Sequence, residues 1–216
     1  MKLPVAASII LLSSADAAST NKMGTKILVT TEGRSGSTLV GQLFNLHEGV
    51  SYFYEPCRSL PVFKAMKPHE KATATMMQQC TKLVRAILDC SFSASEMTTL
   101  LSDRTAVSKS AVLSRAAGNI SASGAGFEEE QHAALARACH GSIRVVKEIR
   151  FTRGVPDNLL YSEVKVLHLV RDPRAVLHSR LQLEAFCART PRACVQPLCQ
   201  GYRATLSSID VSLWLS

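Results

Sequence analysis

Apolar and polar positions along the chain alternate between two periods. Lys26-Ile27-Leu28-Val29-Thr30-Thr31 is a short β-branched run that stops at Glu32-Gly33-Arg34-Ser35-Gly36, which predicts a buried strand followed by a loop. From Ser37 the spacing turns helical, and Leu39, Leu43 and Leu46, joined by Val40 and Phe44, are expected to form one core-facing stripe. Val50-Ser51-Tyr52-Phe53-Tyr54 predicts a second strand, halted by Pro56. Residues 69–90 predict an amphipathic helix with Met76, Met77, Leu83, Val84, Ile87 and Leu88 inward, the methionines as core filler. Residues 91–142, rich in Ser, Ala and Gly, predict a variable surface region with one or two helices. It is least structured from Gly118 to Gly126, and Glu128-Glu129-Glu130 starts a helix. Order returns with a strand at Ser142–Lys147. Val164-Lys165-Val166-Leu167-His168-Leu169-Val170 is nearly continuous in its apolar character, as a central parallel strand covered on both faces requires. His168 is expected to serve the core or to support the site from behind rather than to act as a catalyst. Asp172-Pro173 then offers an N-cap and a proline at the first helical position, opening a helix that reaches about Leu183.

Strand, glycine loop and helix in succession open an α/β domain. We expect a three-layer α/β/α arrangement with a mostly parallel central sheet. A length of 216 residues suits one domain with a short leader. At the start, Lys2 precedes about ten mostly apolar residues, and Ala15-Asp16-Ala17 is a small-x-small site. Residues 1–22 therefore read as a signal-like or anchor-like leader, with an ordinary apolar N-terminus as the alternative. The run is well short of the roughly 20 residues of a spanning helix. Seven cysteines and the sequon Asn119-Ile120-Ser121 favour the secretory reading. Cys187, Cys194 and Cys199 suggest a disulfide loop, Cys80 and Cys90 read equally as buried thiols, and the odd count leaves at least one cysteine free or bridged between chains. The net charge of +8 favours an anionic partner. With no basic run of five or more and no groove-reading motif, nucleic acid is set aside in favour of a nucleotide or an acidic glycan.

Two strand-to-helix turns carry the candidate chemistry, because ligands of open parallel sheets bind beyond the carboxyl ends of the strands. In Gly33-Arg34-Ser35-Gly36-Ser37-Thr38 the glycines let the backbone curl around an anion. Amide N–H groups and the helix N-terminus face it, and Arg34, Ser37 and Thr38 add a cation and hydroxyls. A Walker-type loop would need Lys after Gly36 and Gly five residues before it; the chain has Ser37 and Thr31. The ATPase and GTPase reading fails on that lysine. In the second turn, Arg171 ends a strand and Ser179 lies two helical turns on, a guanidinium and hydroxyl suited to a phosphate dianion.

The blocks Gly33-Arg34-Ser35-Gly36-Ser37-Thr38-Leu39-Val40-Gly41, Tyr54-Glu55-Pro56 and Leu169-Val170-Arg171-Asp172-Pro173-Arg174-Ala175-Val176-Leu177-His178-Ser179-Arg180 resemble the Golgi carbohydrate sulfotransferases that act on O-6 of galactose, N-acetylgalactosamine or N-acetylglucosamine. The resemblance implies a P-loop-like sulfotransferase fold over residues 23–216 and 3′-phosphoadenosine 5′-phosphosulfate (PAPS) as sulfuryl donor. It implies that Arg34, Ser35, Gly36, Ser37 and Thr38 hold the 5′-phosphosulfate and that Arg171 and Ser179 hold the 3′-phosphate. Arg150, in Lys147-x-x-Arg150, resembles a strand end near the site. The implied setting is the Golgi lumen, with an acidic glycan or glycoprotein as acceptor; membrane anchorage and homo-oligomerisation stay open. Against the family pattern the chain reads as C-terminally truncated, since a further strand and helices would follow Cys199.

Sulfuryl transfer is an in-line displacement whose demands are positioning and stabilisation of negative charge. Arg34 is the candidate for opposing charge on the leaving phosphate. Glu55 is the candidate general base for the sugar hydroxyl, with pairing to Arg58 as its alternative role and His47 and His178 as fallback bases. No metal is expected. The rival readings are a truncated non-catalytic nucleotide-binding domain and a nucleotide kinase-like enzyme.

Overall fold

The computed structural model describes residues 7–12, 24–66, 72–118, 127–140, 143–151, 155–160, 163–183 and 191–208. In chain order the elements are β1 (Ala7–Leu12), β2 (Lys26–Thr31), α1 (Ser37–Asn45), β3 (Val50–Tyr54), a 3-10 turn (Pro56–Ser59), α2 (Pro61–Lys64), α3 (Ala74–Asp89) and α4 (Ala94–Leu101). They continue with α5 (Arg104–Ser108), α6 (Ala111–Gly118), α7 (Phe127–Cys139), β4 (Ile143–Glu148), α8 (Asp157–Leu160), β5 (Val164–Arg171), α9 (Pro173–Leu181) and α10 (Pro191–Ser208). The strands form one sheet in the order β1-β5-β2-β4-β3. β2 through β5 pair in parallel, and β1 lies antiparallel on the outer edge of β5. The expected α/β class is the observed one.

Alternation along the strands feeds two cores. Leu28, Phe53, Val146 and Val166 point to one face, where Leu83, Val84 and Ile87 of α3, Leu100 of α4 and Leu113 of α6 complete a large cluster. Val29, Tyr52, Val145 and Leu167 point to the other, under Val40 and Phe44 of α1. His168, on the same face of β5 as Val166, is buried in the strand, and desolvation pushes its imidazole down to about 4, so it stays neutral as a core residue.

Several expectations need correction. Leu39, Leu43 and Leu46 are 70%, 64% and 79% exposed, so the leucine stripe of α1 faces outward, and of the expected five only Val40 and Phe44 turn inward, beside the buried Ser37 and Gly41. Periodicity marks a stripe; the close approach of Gly41 to Tyr52 turns its neighbour to the sheet. The described residues of the 91–142 stretch hold four helices, α4 to α7, rather than one or two. Their polar residues are caps: Ser93 closes a capping box with Glu96, and the Asp103 carboxylate accepts from the amides of Thr105 and Ala106. The helix expected from residue 69 starts at Ala74, capped by Thr73. Cys80 and Cys90 are not thiols; Cys57–Cys80 and Cys90–Cys139 are disulfides. Cys194 is also disulfide-bonded, while Cys199 is an exposed thiol outside any such loop. Cys187, the sequon at Asn119, the 119–126 stretch and the leader apart from 7–12 lie outside the described residues. Among those described, no helix is long and apolar enough to cross a membrane.

The approach of α1 to the sheet depends on Gly41. A Cβ there would lie 2.1 Å from Oη of the fully buried Tyr52. Gly41→Ala is therefore expected to cost about 1–3 kcal/mol and to lower the thermal midpoint by roughly 2–10 °C. Gly118→Ala, with nothing within 4 Å of its added Cβ, is the control that leaves the midpoint in place.

Candidate active site

β2 and β5 are neighbours in parallel register, with Thr31 opposite Leu169. The turns that follow them are therefore held side by side. A hydroxyl relay fixes the junction. Thr31 Oγ1 donates to the Leu169 carbonyl at 2.6 Å and receives the Ser35 hydroxyl at 2.5 Å. In the first turn Arg34 and Gly36 both have left-handed backbones, with φ of 75° and 94°. Such a reversal on either side of Ser35 curls successive amides into a concave anion nest. Gly36 is the N-cap of α1 with no side chain closing it; the Leu39 amide turns back to the Gly36 carbonyl at 3.0 Å, and no side chain caps the amides ahead of it. A Cβ at Gly36 would meet nothing within 4 Å; the front of the turn is open.

The structure brings Arg34, Arg171 and Ser179 into one cluster. Arg34 Nε donates to Ser179 Oγ at 3.0 Å, and Arg171 Nη1 donates to the Arg34 carbonyl at 3.1 Å. Among the described residues neither guanidinium has a carboxylate partner, and Arg171 Nε is buried with no acceptor. Tyr202 of α10 donates to the Arg171 carbonyl at 2.5 Å, securing the end of β5. Two converging cations repel each other unless an anion joins them. Thr38 is exposed at the mouth, whereas the Ser35 and Ser37 side chains are buried, so Ser35 offers a ligand its backbone and spends its hydroxyl on Thr31. These residues fit a phosphate-bearing ligand with anionic groups at both turns.

A buried clamp, which the sequence reading missed, stabilises the loop. Arg180 of α9 donates to the Gly33 carbonyl from Nε at 3.1 Å and Nη2 at 3.0 Å, and to Glu32 Oε2 at 2.8 Å. Burial drives the Glu32 carboxyl up against the opposing pull of Arg180. The available signal was an acid just before the glycine turn and an arginine one residue after Ser179.

Glu55 follows β3 with φ of 42°, a left-handed conformation that non-glycine residues adopt rarely, here at a candidate functional residue. Its amide donates to the Lys147 carbonyl at 2.8 Å, and its buried carboxylate accepts from Lys147 Nζ, with Arg150 Nη1 at 3.6 Å. Arg58, its expected alternative partner, pairs instead with Asp103 at 3.2 Å. Burial raises the Glu55 carboxyl, but Lys147 and then Arg150 outweigh it and hold the group below the usual carboxylate range. The fully buried Glu148 ties this end of the sheet together. It accepts from the Cys57 amide at 3.0 Å and from Arg150 Nη1 at 2.7 Å. His47 lies past the C-terminal end of α1, about 13 Å of helix from the turn. His178 is exposed on α9.

A family model described as "Sulfotransferase domain" matches residues 24–196. Human carbohydrate sulfotransferase 6 is 36% identical over 183 residues, covering 76% of this chain and 45% of the relative. Human carbohydrate sulfotransferase 5 is 32% identical over 173 residues, covering 71% of this chain and 41% of the relative. Mouse carbohydrate sulfotransferase 5 is 29% identical over 190 residues, covering 76% of this chain and 45% of the relative. The chain thus spans less than half the length of the relatives it matches. No solved structure matches it significantly.

Arg180→Ala strands the buried Glu32 charge. It is expected to cost about 3–5 kcal/mol in urea unfolding, while removal of the exposed Arg174, paired among the described residues with Asp172, leaves the transition unmoved.

Proposed function

Because the chain belongs to the sulfotransferase-domain family, we propose that it transfers a sulfuryl group from PAPS to a carbohydrate hydroxyl, O-6 of galactose, N-acetylgalactosamine or N-acetylglucosamine being the preferred acceptor. The observation that carries this reading is the convergence of Arg34 and Arg171, both without a carboxylate partner among the described residues, on an open and uncapped helix N-terminus. A clustered pair of cations with a serine hydroxyl on one of them suits a ligand with phosphate at two positions better than a single phosphate.

In this reading Arg34, Gly36, Ser37, Thr38 and the Ser35 backbone hold the 5′ end of the nucleotide, and Arg171 and Ser179 hold the 3′-phosphate. Bound there, PAPS supplies the sulfuryl group. The α1 amides and Arg34 oppose negative charge on the phosphate oxygen that departs, in a pocket whose donors the Arg180 clamp and the Thr31 relay already fix. Glu55 accepts the proton of the sugar hydroxyl. Lys147 keeps that carboxylate ionised, at some cost in base strength. The setting is the secretory pathway, with the Golgi lumen as site of action, in keeping with the disulfides.

Two experiments test this. Calorimetric titration should give at least tenfold tighter binding of adenosine 3′,5′-bisphosphate than of ADP, with the difference lost in Arg171→Ala; equal affinities reject the nucleotide assignment. Labelled sulfate should pass from PAPS to desulfated chondroitin or keratan, and absence of transfer with intact nucleotide binding favours a non-catalytic domain. Glu55→Gln should retain nucleotide binding and lose about 10²–10⁴-fold in turnover. With Glu55 as base, wild-type kcat should hold steady as pH falls to about 4.3, the ordinary glutamate value, because Lys147 keeps the folded-state value lower. A kcat that falls between pH 7 and 5 would assign the base to another group.

A further inference from the structure

Beyond the carboxyl ends of β3 and β4 lies a cleft of about 490 Å³, whose wall includes Glu55, Arg58, Lys64, Asp103, Arg104 and Arg150. That volume is within the range of small-ligand sites. The sheet order places β4 between β2 and β3. The cleft thus opens two strands from the nucleotide turn, about 10 Å along the sheet edge. Glu55, the proposed base, is in its wall.

The charges in this wall do not balance. Four cations face two carboxylates, and both carboxylates are committed within the wall. Asp103 accepts from the Thr105 and Ala106 amides, from Ser59 and from Arg58; Glu55 is held by Lys147, with Arg150 beside it. Arg150 is further tied to Glu148 at 2.7 Å. Lys64 and Arg104 remain. Both are exposed, Lys64 Nζ reaches only Ser102 Oγ at 3.4 Å, and among the described residues neither has a carboxylate partner. Lys64 ends α2 and Arg104 begins α5, so two separate elements bring these cations to one rim. Arg104 sits at a helix N-terminus, where a cation is disfavoured, and gains nothing there in fold stability.

We propose that this cleft is the acceptor subsite, and that Lys64 and Arg104 bind an anionic group, a carboxylate or a sulfate ester, on the sugar beside the one that receives the sulfuryl group. The assignment rests on the sulfotransferase reading and adds to it a preference for acceptors that already carry charge. The saccharide's reactive hydroxyl enters toward Glu55, and its charged neighbour stays at the rim, where solvent-screened contacts select without holding the product too tightly.

The test measures binding of three oligosaccharides to the full chain loaded with adenosine 3′,5′-bisphosphate. They are unsulfated N-acetyllactosamine, its 6-sulfated counterpart and desulfated chondroitin of equal length. The charged sugars are expected to bind more tightly than the neutral one, with added salt eroding the difference. Lys64→Ala/Arg104→Ala should reduce that preference about tenfold, with an unchanged thermal midpoint as the check on folding. Comparison of the sulfated and the uronate-bearing sugar identifies which anion is read. A wild type indifferent to sugar charge, or a double variant that keeps the full preference or weakens all three sugars alike, overturns the proposal. Turnover is scored separately. A chain that binds charged sugars through this rim but transfers no sulfuryl group loses the enzymatic reading and keeps the cleft. One that transfers with no charge preference loses only the cleft.

Discussion

The parallel pairing of β2 with β5 is the constraint on which the site depends. Arg34 and Arg171 are 137 residues apart in sequence, and only the register that sets Thr31 beside Leu169 makes their turns adjacent. A slip of one residue would send each strand's inward side chains to the opposite face. It would empty both cores and separate the hydroxyl of Thr31 from the carbonyl it serves. The geometry of the candidate site and the packing of the core are therefore specified by the same hydrogen-bond ladder. The apolar run of β5 secures that ladder as much as any polar residue in the turns.

Around this ladder the chain buries an unusual set of charges. Lys147, Glu55, Glu148, Glu32 and Arg180 all lie inside, each with a partner of opposite sign nearby. Buried pairs of this kind add little net stability, because desolvation offsets most of their attraction. What they do is fix position: Arg180 grips a backbone carbonyl of the glycine turn, and Glu148 joins the end of β4 to the turn after β3. The arrangement suits a reaction whose barrier falls through preorganised donors rather than through covalent help from the protein.

Both strand–turn–helix units could be read from the sequence because their signals are local. A β-branched run, a glycine turn, an Asp-Pro start and a helical period are all written within a few residues of one another. Signals that depend on distant partners could not be read. The face that α1 turns inward is set by the seat of Gly41 against Tyr52 of β3, not by its own period. The serines after residue 91 could serve as loop residues or as caps, and only the packed helices decide that they are caps. The pairing of Glu55 with Lys147 spans 92 residues, and that of Glu32 with Arg180 spans 148. No spacing rule reaches so far, and disulfide partners are equally hidden.

The two disulfides with described partners fall between residues 57 and 139, and neither touches the turns at 33–38 and 171–180. Cys57 lies two residues after Glu55, so the turn that carries the candidate base is braced covalently, while the described contacts that fix the glycine turn at 33–38 are hydrogen bonds and an ion pair. Both bridges are buried, so a reductant reaches them only after the helices over that face of the sheet have opened.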